Sequence, residues 1–375
     1  MADVIVVGAG PVGTLLAAEL TRFGVDVTLL EERPSPGAGS RAIGLHAPVL
    51  SALESGGATD RILASAVRVR RGEARSDGRL LGTVRFDRLN TRHPYVATLP
   101  QAATEAALAA GAPDPVRGVR VTGIHPDPDG VTVRSDGAEH RAPIVVVAAG
   151  VGARDLVFTR GALRRTAYPD RYLMTDATLP PRPDAETAVV HLSPGGVLES
   201  FPLPSGQRRF VAWDAGGPNT PDEHLARLKT ALAERGESAA AEEITSATSF
   251  SVRRVLAPAL RRGRLFVIGD TAHEISPIGG QGLNLGLLDA VTLAPPLAEW
   301  VQRGSEPAAA LARWELGRLR SARTAGRIAA LNMRLGRPVS PRAHAVLTRS
   351  LGAAIAATGP LVPHAYSMGF DTASP

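Results

Sequence analysis

The chain has 375 residues, 44% of them hydrophobic, and no cysteine; it is long enough for two domains or one with an insertion, and it has no disulfides, thiolate catalysis or cysteine-held metal. No apolar run reaches the roughly 18 residues of a membrane span, and Val4-Ile5-Val6-Val7 stops at Gly8, too soon for a signal segment, so a cytoplasmic protein is expected. The net charge of +6 is almost all arginine, scattered along a chain with only 4% aromatics, which argues against nucleic-acid binding and for weak attraction to anionic substrates or cofactors.

Val4 to Val7 predicts a buried strand. Gly8-Ala9-Gly10-Pro11-Val12-Gly13 follows, then Leu15 to Leu20 in helical spacing, then a second strand from Val25 to Leu30 that ends on Glu31. Strand, G-x-G-x-x-G turn, helix, strand and acid stand in the spacing of a dinucleotide fold. Gly8 permits the tight turn, Gly10 lets backbone approach a pyrophosphate, and Gly13 lets the helix pack on the strand. Glu31 is placed for ribose hydroxyls. The Gly/Pro-rich loop from Glu32 to Ala47 carries Arg41, a cation useful to a phosphate there, although loop arginines are usually just solvated. A helix is expected from about Pro48 to Leu53.

Residues 66–98 alternate polar and apolar around the Asp77-Gly78 turn, which predicts a small antiparallel insertion. Leu99-Pro100-Gln101 opens a helix to about Ala110, and a meander leads to a buried strand at Ile144–Val147. From 156 to 255 strands dominate. Their aromatics Tyr172, Phe201, Phe210 and Trp213 suit a core better than a substrate wall; Tyr172, Phe201 and Trp213 are kept as weak candidates for the wall.

Leu265 to Ile268 predicts a short strand ending at Gly269-Asp270, and Pro277-Ile278-Gly279-Gly280-Gln281-Gly282-Leu283-Asn284 a glycine loop feeding a helix. That arrangement suits a flavin: the acid accepts hydrogen bonds from ribityl or sugar hydroxyls, and N–H groups at the helix start face the electron-rich ring edge. Pro295-Pro296 predicts a kink or an end to this helix. Residues 297–357 carry helical apolar stripes, and 358–375 reads as a loosely packed tail. His46, His191 and His273 are able to handle a proton, but a lone histidine is more often structural. No catalytic base is assigned.

Three separated signals coincide: Gly8 to Gly13 with Glu31, Gln101 in Leu99-Pro100-Gln101, and Gly269-Asp270 with Pro277 to Asn284. Together they resemble the FAD-dependent aromatic hydroxylases, the single-component flavoprotein monooxygenases with the para-hydroxybenzoate hydroxylase fold. The resemblance runs from residue 3 to about 325 and is most specific in GDTAHEISPIGGQGLN, where members usually read G-D-A-A-H-x-x-x-P-x-G-G-Q-G-x-N. It implies an α/β chain with α+β elements. A Rossmann-like FAD-binding domain spans 1–155 and returns at 256–300, a mixed-sheet substrate domain is inserted at 156–255, and a C-terminal helical region and tail fill 301–375.

By position, the resemblance puts Gly8, Gly10 and Gly13 on the FAD pyrophosphate, Glu31 on the adenosine ribose, and Arg41 near FAD and the nicotinamide. Gln101 then contacts the flavin side, Asp270 the ribityl or pyrophosphate region, and Pro277 the neighbourhood of the reactive flavin carbon. Gly280, Gly282, Leu283 and Asn284 bring backbone amides to the pyrimidine edge. Pro277, His46 and His191 are weak catalytic candidates, and no metal is implied. The implied chemistry is hydroxylation of an aromatic or polyketide-like small molecule by NAD(P)H and O2 through a flavin C4a-hydroperoxide, in secondary metabolism such as antibiotic biosynthesis, by a monomer or homodimer.

There are departures. Members carry an Asp-Gly pair in G-A-D-G-x-x-S; here the segment is Ala149-Gly150-Val151-Gly152-Ala153-Arg154-Asp155, with Val151 in the aspartate's place and Asp155 in the serine's. Use of NAD(P)H is thereby less secure than FAD binding. Baeyer–Villiger or epoxidising chemistry on the same scaffold stays open, as does a non-redox isomerase or cyclase that retains FAD. A halogenase W-x-W-x-I-P segment is absent.

Overall fold

A computed structural model describes residues 2–37, 42–159, 161–358 and 361–371. Val4–Val7 is the centre of a six-stranded sheet, pairing in parallel with Val27–Glu31 on one side and Ile144–Val147 on the other. Ile144–Val147 in turn pairs in parallel with Leu265–Val267. Every residue of Val4–Val7 and Ile144–Val147 is buried, because both sheet faces are covered; this is why they read as unbroken apolar runs. Val4 and Val6 face helices Pro11–Arg22 and Gln281–Arg303. Ile5 and Val7 face the antiparallel sheet of Val121–Pro126, Val131–Ser135 and Ala138–Ala142 through Ile124, Val131 and Val133.

A second, eight-stranded sheet holds Arg164–Thr178, Gln207–Asp214, Leu198–Pro202 and Thr248–Leu256 in antiparallel pairs. The hairpin Arg71–Ser76 and Arg79–Arg85 joins it by a parallel pairing with Thr187–His191. The middle of the 66–98 segment expected to form a small insertion of its own therefore extends the large sheet, while Val67–Val69 and Val96–Thr98 pair with Gly44–Leu45 in a separate three-stranded sheet. One face of this sheet packs Leu173, Leu198, Phe210 and Ala212 on Leu228 and Leu232 of helix Pro221–Ala233. The opposite face looks toward the glycine turns at the strand ends of the six-stranded sheet.

Two expectations are corrected at the C-terminal side. Helix Gln281–Arg303 runs on through Pro295 and Pro296. A helix-interior proline costs about 3 kcal/mol, but Leu293, Ala294, Leu297, Ala298 and Trp300 are buried on this helix, and large apolar side chains contribute roughly 1.5–3 kcal/mol each. Within the stretch expected to be a loose tail, the described residues 361–371 are anchored: Met368 is fully buried, and Asp371 accepts two hydrogen bonds from Arg318 at 2.7 and 3.0 Å. Arg318 is itself buried, so its charge draws an acid inward. Among the described residues no helix is long and apolar enough to cross a membrane.

Candidate cofactor and substrate site

A cavity of about 2090 Å3 lies between the six-stranded sheet's glycine turns and the eight-stranded sheet. A site for one small ligand typically occupies roughly 300–1,000 Å3, so this space holds more than one such group.

The first turn is built for close approach. Gly8 has φ +104°, and a Cβ there would stand 2.6 Å from the Ala149 Cα; a Cβ on Gly13 would stand 1.9 Å from the Gly8 carbonyl oxygen. Gly10 differs, having nothing within 4 Å of its would-be Cβ. The space over Gly10 is open to a ligand, whereas Gly8 and Gly13 serve the backbone. Helix Pro11–Arg22 starts there with proline first and no side-chain cap, so its N-terminal donors and dipole face the cavity. Glu31 accepts hydrogen bonds from Ala9 N–H at 2.7 Å and from Arg33 N and Nε at 3.0 and 2.8 Å. Burial alone would raise this carboxyl; the bonds from Arg33 and Ala9 outweigh burial and hold it below the ordinary range. It stands as an ionised acceptor at the strand end.

The second turn mirrors the first. Gly279 and Gly280 have φ +91° and +66°, and helix Gln281–Arg303 begins without a side-chain cap. Gly280, Gly282, Leu283 and Pro277 line the cavity. Asn284 does not: fully buried, its Nδ2 donates to the Gly44 and Gly280 carbonyls at 2.8 Å, and its Oδ1 accepts from His46 N–H at 2.8 Å. Its side chain ties two loops together. His46 lines the cavity beside Gly280, and burial pushes its imidazole down to about 4, so the ring is neutral at ordinary pH.

Asp270 is exposed on the cavity in the turn Gly269–Thr271. That turn is held by Arg154, which sequence reasoning did not single out. Its guanidinium donates to the Asp270 carbonyl at 2.6 Å and to the Glu274 carboxylate at 2.8 Å, while Thr271 Oγ1 donates to the Gly150 carbonyl at 2.9 Å. Only a buried arginine's contacts reveal such a role; its sequence position carries no periodic signal. Val151 lies half-exposed on the cavity rim, and Asp155 is exposed but outside the lining. Gln101 heads helix Gln101–Ala109, lines the cavity and donates to Glu105 at 2.9 Å. Arg41 lies outside the described residues.

The three weak substrate-wall candidates separate. Phe201 lines the cavity. Tyr172 is fully buried, its ring stacked 5.7 Å from Phe250, and is not in the lining. Trp213 is also outside the lining, donating to Asp170 at 3.3 Å. Of the other histidines, His191 points away from the cavity, 3.3 Å from Glu237. His273 lies under the Gly269 turn, 2.6 Å from Asp289, which also accepts from Arg318 at 2.8 Å. Burial opposes the charge on both His273 and Asp289, but each one's charge, with that of Arg318 on Asp289, prevails; His273 is raised and Asp289 lowered. This buried ion chain fastens the turn to the helices behind it.

A family model described as FAD binding domain matches residues 1–328. The chain belongs to this family, that of the FAD-dependent aromatic hydroxylases. FAD fits its site: an open approach over Gly10, two uncapped helix starts and an ionised acid at the second strand end. 6-Methylpretetramide 4-monooxygenase of Streptomyces rimosus is 34% identical over 318 residues, 80% of this chain and 56% of that protein. Rifampicin monooxygenase of Streptomyces venezuelae is 33% identical over 316 residues, 80% and 64% of the respective chains. The chain thus spans about half to two thirds of the length of these curated relatives. The fold of p-nitrophenol 4-monooxygenase PnpA from Pseudomonas putida DLL-E4 superposes with a TM-score of 0.86 over 99% of this chain and 98% of that one, at 24% identity.

Proposed function

We propose that this protein is an FAD-dependent monooxygenase that uses NAD(P)H and O2 to hydroxylate an aromatic or polyketide-like small molecule. One observation carries the reading: a single cavity is lined by both glycine turns and, across from them, by a face of the eight-stranded sheet that includes Val190, Phe201 and Val211. A ring system held in the turns and a flat apolar substrate on the sheet share one water-poor chamber. The relatives named above as monooxygenases support this chemistry.

Bound FAD, reduced by the nicotinamide, supplies oxygen transfer from O2 to the substrate. The chain's own residues do the rest. In this reading Gly8, Gly10 and Gly13 take the pyrophosphate, Glu31 the adenosine ribose, and Arg41, Gln101 and Asp270 the middle of the cofactor. Pro277 would lie beside the ring, and the N–H groups from Gly280 to Leu283 would stabilise negative charge on it. Neutral His46 keeps a cation away from the ring face. Phe201, Val190 and Val211 exclude water from the substrate side. In this assignment residues 1–155 and 256–300 form the cofactor part, apart from the Arg71–Arg85 hairpin, which joins residues 156–255 in the substrate part.

The test is incubation of the FAD-loaded protein with NADH or NADPH and heavy-isotope O2 across phenolic and polyketide compounds. A product one heavy oxygen richer supports the proposal; nicotinamide consumption that no compound stimulates and that leaves none oxidised opposes it. Val151 favours a second reading, a non-redox isomerase or cyclase. That reading gains if product forms from a substrate without nicotinamide or O2.

A further inference from the structure

Strand Leu198–Pro202 places Glu199 in the cavity wall. Its cross-strand neighbours are Val211 on one side and Val190 on the other, both apolar members of the same wall, and Phe201 shares its face. Val211 packs in one cluster with Ile278 of the second glycine turn, so this rung of the sheet lies opposite the expected ring site. Glu199 is only 7% exposed, yet its carboxyl makes no hydrogen bond or ion pair with the side chain or backbone of any described residue. Other buried acids here are paired: Asp170 with Arg337, Asp214 with Arg227, Asp289 with Arg318. A lone carboxyl among valines and phenylalanine is stored neutral, because an unpaired buried charge is prohibitive. A neutral carboxyl presents an O–H donor and a carbonyl acceptor side by side.

We propose that Glu199 reads the substrate through this donor–acceptor pair, selecting a neutral polycyclic ligand whose edge carries an acceptor next to a donor, such as a lactam or an enolised dicarbonyl. This rests on the monooxygenase reading only for the ligand's fate, not for its binding. The pairing forms two hydrogen bonds and transfers no proton. A buried site left with an unpaired polar group discriminates strongly against ligands that lack the matching one. Ammonium-bearing ligands are disfavoured, since the carboxyl is stored without charge.

The surrounding groups make pH a clean readout. Burial pushes Glu199 up to about 8. Facing groups do not titrate near there. Burial raises Tyr172 above its usual range and Tyr366 to about 12, while His46 is held near 4. Arg209 and Asp176, on the same sheet face, are tied as a bidentate pair at 2.7 Å.

The experiment is calorimetric titration of the FAD-loaded protein with phenanthridinone, a non-titrating lactam, with its N-methyl derivative, and with aminomethylanthracene. Phenanthridinone is expected to bind, and the N-methyl compound to bind about tenfold weaker or worse. Glu199→Gln, which keeps a neutral donor and acceptor, is expected to stay within about threefold of wild type, and Glu199→Leu to lose about tenfold. Wild-type affinity should fall as pH rises above about 8 while Glu199→Gln stays flat. The proposal is overturned if Glu199→Leu binds like wild type, if Glu199→Gln loses as much as Glu199→Leu, if the ammonium probe binds best, or if phenanthridinone does not bind. The titration needs neither nicotinamide nor O2. Intact binding without any turnover therefore counts against the monooxygenase reading alone, and turnover with unaltered Glu199→Leu binding against this inference alone.

Discussion

Gly10 and Gly13 belong to one motif but answer to different constraints. A methyl on Gly13 meets the Gly8 carbonyl at 1.9 Å, whereas one on Gly10 meets no protein atom within 4 Å. Gly13→Ala is therefore expected to destabilise the FAD-free protein by several kcal/mol through steric overlap. Gly10→Ala should leave its thermal midpoint unchanged but weaken FAD about tenfold or more, since the methyl occupies the pyrophosphate's approach. Thermal unfolding without FAD and fluorescence titration with it separate the two. Glu199 makes a pH prediction. Its carboxyl lies near 8 in the folded protein against an ordinary 4.5, so between those values the folded state holds an extra proton and stability falls as pH rises, flattening above about 8. The full effect is on the order of 5 kcal/mol. Glu199→Gln should lack this slope and match wild type only at the acid end; denaturant melts across the pH range check it. In sequence, Leu198-Glu199-Ser200-Phe201 does not reveal this, because an acid facing a cavity and one facing water look the same.

Among the elements, those with local causes were readable and those with distant causes were not. The N-terminal strand, glycine turn and helix follow from residues within about twenty of one another, and the structure places them where the spacing put them. That the helix does not end at Pro295 and Pro296 was not legible, because its support comes from burial of Leu293, Leu297 and Trp300, which no local rule reports. The C-terminal segment was misread for a similar reason: composition marked it as loose, but Arg318 reaches across to Asp371. Removing one partner of a buried ion pair costs about 3–5 kcal/mol. Asp371→Ala is accordingly expected to lower stability by that order in chemical denaturation, far more than an exposed tail residue would.

At the scale of the whole molecule, two sheets built by different rules enclose one chamber. The parallel sheet carries the cofactor turns at its strand ends, and the eight-stranded, mostly antiparallel sheet offers a broad face opposite them. The joining of the Arg71–Arg85 hairpin to Thr187–His191 was not visible in sequence, because parallel pairing across a hundred residues has no short-range signature. The chamber's continuity was equally hidden, although each lining turn could be named. Val151 on its rim is the point at which the donor reaction is in question. Being half-exposed, it should accept Val151→Asp without loss of stability, and that change should speed flavin reduction if the nicotinamide docks there.

The most direct test is anaerobic stopped-flow reduction of the FAD-loaded protein by NADH and by NADPH, with and without phenolic and polyketide ligands. The monooxygenase account predicts bleaching of the flavin that at least one ligand accelerates. No bleaching by either nucleotide, with dithionite still reducing the flavin, contradicts it.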